Sequence, residues 1–426
     1  MTSGESRDMT LDPVHVDGIA RLAGRLGGRM DDTDHDDLAE RAWAEFLDPL
    51  YYEDEVILEP LGEQRRRAAP LPDIALEERP FDTQHGLDSG TINPTTFKNG
   101  LVLDVAQAAM AGVPSDLDLH RSRTVVVSAH TNDVTVDLGD DEWGRTDEGY
   151  THERLLEVPR VDRYAQTVVH ALALYLAESH HARANIEAVS DLLILDGPIY
   201  PTGLLNWADR HPELADLLES DQQPRDVVEN YVRLVETGLE DDVPIVGFVK
   251  NSAANGLTRA LRTKAGAPWA NDNAFFEHVL SRYEGDELRT DAITFTNWFR
   301  SRIGTDRVLS SAGDALGVER ERDPEAYEVT FFALYDPRDE LVYRIEAPYA
   351  VTRDADRRER LTMQIVADVA AERGPPVAVA KADELARIEA AAKDQLRERI
   401  GQEFDSDRQR TYNERRWGSA YAGSGE

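Results

Sequence analysis

Three carboxylates in this sequence, Asp88, Glu178 and Asp196, stand in segments whose patterns predict strands or helices. Their hard oxygen atoms suit Mg²⁺ or Mn²⁺. Several negative charges share one site only when a cation lies among them. Two such ions, about 3.5–4 Å apart, can activate a water molecule and stabilise the leaving oxygen in phosphodiester cleavage. The three residues are therefore candidate metal ligands and catalytic groups, provided that the fold brings them together.

Asp196 follows four consecutive apolar residues, 192–195, which predict a short strand buried on both faces. The sequence Asp196-Gly197-Pro198 is a turn signal that ends this strand. A carboxylate would thus lie at the carboxyl end of a central strand, where open α/β sheets keep their sites. An Asp-Gly pair after a strand is also common as a simple turn, so Asp196 alone does not decide between the two interpretations.

Glu178 lies in a long helix that the sequence predicts over residues 160–188. The apolar stripe of this helix contains Tyr164, Val168, Ala171 and Tyr175. Steps of four and three residues place Glu178 on the same stripe, facing the sheet. A buried carboxylate needs a partner, because an unpaired buried charge is costly. That partner could be a metal ion, an arginine or a helix end, and Glu187 near the helix end is a competing candidate.

Asp88 lies in the first of three predicted strands, which begin near His85, Gly100 and Arg123. The order of strand with Asp, two further strands, helix with Glu, and strand with Asp resembles the ribonuclease H-like fold. The predicted fold class is therefore α/β, a ribonuclease H-like mixed sheet flanked by helices, with helical insertions and an N-terminal helical arm.

The chain is predicted to divide into three regions. Residues 1–80 form an N-terminal helical arm, with a helix over 38–58, and end in a linker. Residues 81–400 form the main α/β domain, with a helical insertion at about 203–325. Residues 401–426 are charged and rich in Gly and Ser towards the end, which predicts a frayed tail.

Lys250 ends another predicted buried strand, residues 243–249. Its ammonium group could balance the charge of a phosphate or orient an attacking water. It could equally be a strand-end lysine whose charge reaches solvent. Only five of the 47 basic residues are lysines, which favours a functional role, and we include Lys250 among the candidate catalytic residues.

The chain is strongly acidic, with 82 acidic residues against 47 basic ones and a net charge of −35. A basic nucleic-acid-binding protein has a different composition. However, an acidic surface poor in lysine is also typical of proteins that stay solvated in molar salt. There the Debye length is about 3 Å, so repulsion from DNA phosphates is largely screened. The charge indicates a halophilic protein and does not exclude DNA.

Composition also excludes some kinds of site. The chain has no cysteine, which excludes disulfides, thiolate zinc ligands and a thiol nucleophile. It has no apolar run of 18 residues, and its first residues lack the pattern of a signal peptide. We therefore expect a cytoplasmic protein without a membrane span.

Several short segments together resemble the NurA nuclease family, whose members are encoded beside the HerA hexameric ATPase. These segments are Gly86-Leu-Asp88-Ser-Gly, the helix with Glu178, Leu193-Ile-Leu-Asp196-Gly, Val246-Gly-Phe-Val-Lys250, Arg344-Ile-Glu346-Ala-Pro348 and Pro376-Val-Ala-Val-Ala-Lys-Ala382-Asp383. They span residues 80–390. Each is short, and their order and spacing carry the resemblance.

The resemblance implies a nuclease that depends on Mn²⁺ or Mg²⁺, with two ions, and that acts on single- and double-stranded DNA ends. It implies a 5′–3′ exonuclease with endonuclease activity, a homodimer, and a HerA-type ATPase partner in resection of double-strand breaks. Asp88, Glu178 and Asp196 match the family's metal ligands.

The last ligand departs from the family pattern. The family usually has an Ala-His pair at the start of the last helix, and here the pair is Ala382-Asp383. Asp383 is therefore expected as the fourth metal ligand, although the aromatic residue often found upstream is absent near Pro375. An alternative function is a non-catalytic adaptor for DNA ends or for the ATPase on the same fold. Hydrolysis of other phosphoesters would need a small-molecule pocket that the sequence does not locate.

Overall fold

The computed structural model describes residues 12–27, 35–139, 142–252, 254–309 and 316–410. Most of the predicted C-terminal tail lies outside these residues. The helices are α1 (Pro13–Gly27), α2 (His35–Phe46), α3 (Leu71–Ile74), α4 (Leu117–Arg121), α5 (Ala165–Asn185), α6 (Thr202–Leu205), α7 (Trp207–Arg210), α8 (Pro212–Ser220), α9 (Gln222–Glu240), α10 (Gly256–Ala265), α11 (Asp272–Leu280), α12 (Tyr349–Thr352), α13 (Ala355–Glu372), α14 (Val377–Ala386) and α15 (Ala390–Glu403). None of the helices within these ranges is long and apolar enough to cross a membrane.

The strands are β1 (Leu50–Tyr52), β2 (Glu55–Pro60), β3 (Arg66–Pro70), β4 (Gln84–Thr91), β5 (Thr95–Thr96), β6 (Val102–Val113), β7 (Arg123–His130), β8 (Gly144–Thr146), β9 (Thr151–Glu157), β10 (Leu193–Asp196), β11 (Ile245–Val249), β12 (Tyr283–Glu284), β13 (Glu287–Leu288), β14 (Ala292–Thr296), β15 (Phe299–Ser301), β16 (Val329–Asp336) and β17 (Leu341–Pro348). The main sheet has the order β1-β2-β15-β16-β17-β11-β10-β4-β6-β7-β9-β8. Strands β3 and β14 join it at β16, and β5 joins it at β6.

Three parallel strands form the centre of this sheet. Strand β10 pairs in parallel with both β4 and β11, and antiparallel strands continue on either side. Parallel neighbours end at the same edge of a sheet, so the residues that follow these three strands come together. The large mixed sheet flanked by helices confirms the predicted α/β class, whereas the ribonuclease H-like assignment stays a prediction.

Helices cover both faces of the central strands. Leu193 and Leu195 of β10 pack with α5 and α9, whereas Leu192 and Ile194 pack with α13. Side chains alternate between the faces of a strand, so an uninterrupted apolar run is the pattern of a strand that is buried on both sides. A third apolar cluster joins α2, α10 and α11 to β15, β16 and β17.

The predicted long helix is observed as α5, which begins just after Tyr164. Val168 and Ala171 of its predicted stripe are buried, and Tyr175 and Glu178 are half-buried. The apolar stripe therefore faces the sheet as expected from its spacing.

The N-terminal region differs from the prediction in two places. The helix predicted over 38–58 is wrong beyond Phe46, because β1 and β2 follow. The sequence Asp48-Pro49 explains the break, since proline cannot continue a helix and disfavours helical backbone in the residue before it. The linker expected before residue 80 is also wrong, because β3 pairs with β14 in the main sheet.

The region predicted as a helical insertion, 203–325, is helical up to Glu240. Beyond that residue it supplies β11, β14 and β15 to the sheet as well as two helices. The domain boundaries themselves stay a prediction.

Strand β4 and helix α14 are in close backbone contact at two glycines of the strand. A Cβ atom on Gly86 would overlap the carbonyl group of Ala378, and one on Gly90 would overlap that of Ala386. Asp88 lies between these two glycines on the same face of β4, because alternate residues of a strand share a face. The glycines therefore let the backbone of α14 lie directly against the strand that carries Asp88.

We expect Gly86→Ala to destabilise the protein by about 2 kcal/mol or more, because the new methyl group must push α14 away from β4. The measurement is denaturant unfolding followed by circular dichroism. Gly24→Ala is the control, because nothing lies within 4 Å of its Cβ position in helix α1. Equal stability of the Gly86→Ala variant and the parent would contradict the close packing of β4 and α14.

Candidate active site

Asp88 and Asp196 lie side by side on two parallel strands, just after the last residue pair of β4 and β10. Leu87 of β4 pairs with Leu195 of β10, so the next residue on each strand is the aspartate. Both aspartates face the layer of α13 and α14, and they are close enough for the charge of Asp196 to raise the pKa of Asp88. The structure thus brings together two of the carboxylates that the sequence proposed, from positions more than 100 residues apart.

The surroundings of this pair oppose two full negative charges. Burial raises the pKa of Asp88 to about 8, and the charges of Asp196 and Glu178 add to that rise. Burial also raises the pKa of Asp196, although Lys250 acts in the opposite direction. Near neutral pH Asp88 therefore keeps its proton. A divalent cation would satisfy the same oxygens without that proton, so the pair fits a hard metal ion.

Lys250 is the third group at this edge. It directly follows β11, the parallel neighbour of β10, and its Nζ donates a hydrogen bond of 2.6 Å to Asp196 Oδ2. Its side chain is one-third exposed. The ammonium group is therefore directed at the predicted site rather than only at solvent.

Glu178 lies on the opposite face of β4 from Asp88. Its Oε1 accepts a hydrogen bond of 2.6 Å from Ser89 Oγ, and its Oε2 accepts one of 2.8 Å from Tyr231 Oη on α9. Burial raises the pKa of Glu178, and the two hydroxyl donors lower it. The partner that a buried carboxylate requires is thus a pair of hydroxyl groups.

Ser89 connects the two faces of the site. Its backbone N–H donates to Asp88 Oδ1 at 2.7 Å, while its hydroxyl donates to Glu178. Sequence reasoning missed Ser89 and Tyr231. Ser89 could have been found from its place beside Asp88, whereas Tyr231 is one of many residues on the apolar stripe of α9.

Asp383 of α14 lies near the aspartate pair, and its charge raises the pKa of both Asp88 and Asp196. Its own carboxylate pairs with Arg387, one helical turn further on, at 2.8 Å. Its side chain is 42% exposed. Asp383 is therefore close enough to contribute to the field of the site, but it is engaged by a neighbouring arginine.

Within the ranges that the structure describes, no three His, Asp or Glu side chains are arranged to hold one metal ion. The structure groups Asp88, Asp196 and Lys250, with Glu178 and Asp383 nearby and hydrogen-bonded to protein partners. Two carboxylates are nevertheless sufficient for a Mg²⁺-type site, since such ions are often bound through one or two carboxylates, waters and substrate phosphates. The roles of all four predicted ligands stay predictions.

These features define an α/β protein with neighbouring acidic groups on two central parallel strands. The family model of the NurA domain matches residues 82–388. The chain therefore belongs to the NurA family.

The chain is also similar to solved structures at low sequence identity. The NurA nuclease from Sulfolobus solfataricus has a TM-score of 0.48 and 12% identity, covering 93% of this chain and 98% of that chain. A structure of NurA bound to dAMP and manganese has a TM-score of 0.45 and 9% identity, and the match covers 90% of this chain and 96% of that chain. No curated protein matches this chain.

The raised pKa of Asp88 predicts a pH dependence of stability in the metal-free protein. The folded state keeps a proton on Asp88 up to about pH 8, whereas the unfolded chain loses it near pH 4. Asp88 therefore makes stability fall as pH rises through this window. At pH 8 we expect Asp88→Asn to be more stable than the parent by an amount on the order of 1 kcal/mol, and at pH 4 we expect a smaller difference.

The measurement is chemical unfolding in chelator across this pH range. Asp339→Asn is the matched control. An ion pair with Arg373 lowers the pKa of Asp339, so the charge of Asp339 makes stability rise with pH, opposite to the effect of Asp88. If the parent and Asp88→Asn are equally stable at pH 8, the negative charge of Asp88 does not destabilise the folded state.

Proposed function

We propose that this chain is a metal-dependent DNA nuclease, a phosphodiester hydrolase that acts on DNA ends. The observation that carries the proposal is the aspartate pair. Two carboxyl groups lie side by side on adjacent parallel strands, the pKa of Asp88 is raised, and a cation would take the place of its proton. Membership of the NurA family supports the same conclusion.

Asp88 and Asp196 would hold the cation, Mn²⁺ or Mg²⁺, and we propose two ions in the working site. When bound, such ions supply a Lewis acid and lower the pKa of water, which is the chemistry that phosphodiester hydrolysis requires. The protein positions the ligands. Strands β4 and β10 hold the two aspartates side by side, and the backbone N–H of Ser89 orients the carboxyl group of Asp88.

Lys250 would act on the substrate rather than on the cation. Its ammonium group has three donors. One is used by Asp196 at 2.6 Å, and the others can reach a phosphate oxygen that enters the same edge. Lys250 would thereby orient the phosphate and offset charge on the pentavalent transition state.

Glu178 and Asp383 would complete the set of ligands. Each oxygen of Glu178 accepts one hydroxyl hydrogen bond and retains a lone pair, so the carboxylate can also orient a water or accept its proton. Asp383 would need to leave Arg387, an exposed pair of the kind that contributes little to stability.

Family membership supports several finer proposals. These are action on single- and double-stranded DNA ends, 5′–3′ exonuclease and endonuclease activity, a homodimer, a HerA-type ATPase partner, a role in double-strand break resection, and a cytoplasmic location.

A non-catalytic adaptor for DNA ends or for the ATPase is the alternative. One observation favours it: Asp383, which stands where the family usually has histidine, is paired with Arg387. The two functions differ in whether the parent protein cleaves DNA, because an adaptor would bind DNA ends without cutting them in any metal.

We expect Asp196→Asn to reduce cleavage of end-labelled linear DNA by at least about 100-fold, because it removes a metal-holding charge. The assay uses the full chain in high salt with Mn²⁺, Mg²⁺ or chelator, with and without the ATPase. Asp339→Asn, remote and ion-paired, is the control and should cleave like the parent. If Asp196→Asn cleaves DNA as fast as the parent at saturating Mn²⁺, Asp196 is not a catalytic metal ligand.

A further inference from the structure

A cavity of about 160 Å³ lies between β3, β14 and the first turn of α13, and arginines line it. Arg65 and Arg67 come from the run of three arginines at the start of β3, and Arg358 comes from α13. A cavity needs only about 10–15 Å³ of such volume to hold one water molecule. This one therefore has room for a small anion together with bound water.

The charges of two arginines in this run are balanced within the protein. Neighbouring residues of a strand point to opposite faces of the sheet. Arg66 donates to Glu40 of α2 and to the carbonyl oxygen of Val279, on the side away from α13. Arg67 faces α13, and its Nη1 lies 2.6 and 2.7 Å from the two carboxylate oxygens of Glu359.

Arg65 and Arg358 have no such partner. Within the ranges that the structure describes, no carboxylate lies within ion-pair distance of either guanidinium group. Arg358 Nη1 donates a hydrogen bond of 2.6 Å to the carbonyl oxygen of Thr352, which leaves the positive charge of Arg358 uncompensated. Acidic side chains outnumber basic ones by 82 to 47 in this chain, so the two arginines stay unpaired despite an excess of carboxylates.

The charges of Arg65 and Arg358 also act on each other. Burial lowers the pKa of Arg358, and the positive charge of Arg65 acts in the same direction. The carboxylates of Asp354 and Glu359 oppose both effects. The backbone of Arg65 is held beside the cavity, because it exchanges hydrogen bonds of 3.0 and 2.9 Å with the side-chain oxygen and backbone N–H of Asn297. Two like charges held near each other repel, and an anion between them would relieve that repulsion.

The floor of the cavity is apolar. Phe295 and Trp298 line it, and both side chains are buried. Such a floor screens charge less than water does, so a contact between an anion and the two arginines is strengthened. Glu63 also lines the cavity, but this exposed carboxylate makes no ion pair with Arg65 or Arg358 in the described part of the chain.

The cavity is separate from the candidate active site. Strand β14 is four strands away from β10 in the sheet, by way of β11, β17 and β16. At about 4.8 Å between neighbouring strands, this distance is roughly 19 Å along the sheet. A ligand in the cavity would therefore not share protein groups with Asp88, Asp196 or Lys250.

We propose that Arg65 and Arg358 form a binding site for a phosphate group at this cavity. The planar guanidinium group presents several N–H donors in an arrangement that matches phosphate oxygens. A nucleic-acid backbone and a free phosphate ion or nucleotide carry the same chemistry, and the test separates these sources. The site does not depend on the proposed nuclease function.

Isothermal titration calorimetry of the full chain with inorganic phosphate tests this site, in chelator and at constant high salt. We expect Arg65→Gln to weaken phosphate binding by at least about tenfold, as for loss of a charged hydrogen bond. Arg353→Gln is the matched control, because it removes an exposed arginine at the end of α12, outside the cavity. It should bind phosphate like the parent.

A variant with increased affinity guards against a loss that comes from misfolding. Glu63→Gln removes the carboxylate of the cavity that no arginine engages, so it should bind phosphate about twofold more tightly, the size of an exposed charge interaction. Weaker binding by Glu63→Gln than by the parent would contradict the site.

Labelled duplex DNA and a deoxynucleoside monophosphate, also in chelator, identify the source of the phosphate. Weaker duplex binding by Arg65→Gln would show that the site takes a backbone phosphate. A loss confined to inorganic phosphate and the mononucleotide would show that it takes free phosphate. The inference is overturned if Arg65→Gln binds every phosphate ligand like the parent, if Arg353→Gln shows an equal loss, or if the parent binds none of them. No DNA cleavage is needed, so failure of the nuclease assignment would leave this result unaffected.

Discussion

The repulsion between Asp88 and Asp196 is the constraint around which this structure is arranged. Two buried carboxyl groups next to each other oppose folding unless a proton, a lysine or a cation intervenes. Here burial and the neighbouring charges raise the pKa of Asp88 to about 8, which favours its protonated form, and Lys250 binds Asp196. Proteins keep such an arrangement where function requires it and accept the loss of stability. The electrostatic stress is therefore itself a reason to assign chemistry to this edge.

The surrounding fold holds the stressed pair in place through close backbone contacts. Beside β4, glycines admit the backbone of α14. Beside β10, a Cβ on Gly247 would lie 2.6 Å from the carbonyl oxygen of Gly197, so the turn after Asp196 lies directly against β11. Glu346 Oε2 accepts a hydrogen bond of 3.1 Å from the backbone N–H of Ile199 in the same turn, and Arg344 pairs with Glu346 at 2.7 Å. A buried ion pair two strands away thus fixes the loop that carries Asp196.

Sequence patterns predicted the positions of helices and strands more accurately than they predicted the contacts between them. The apolar run of β10, the stripe of α5 and the strand before Lys250 follow from periodicity and burial, which are local properties. The face on which Glu178 meets β4 depends on the register of that strand, so its bonds to Ser89 and Tyr231 did not follow from the helix alone. Strand β3 contains Arg66, Arg67 and Pro70, which do not predict a strand. It is stabilised by pairing with β14, more than 200 residues away. Asp383 and Arg387, by contrast, could have been paired from their spacing of four residues.

The central claim is that Asp88 and Asp196 hold a divalent metal ion. Diffraction from crystals of the full chain soaked in Mn²⁺, recorded at the manganese absorption edge, tests it most directly. The account predicts an anomalous peak at coordination distance from carboxylate oxygens of both aspartates. A fully soaked crystal with no peak between Asp88 and Asp196, or with its manganese bound elsewhere, would contradict the account.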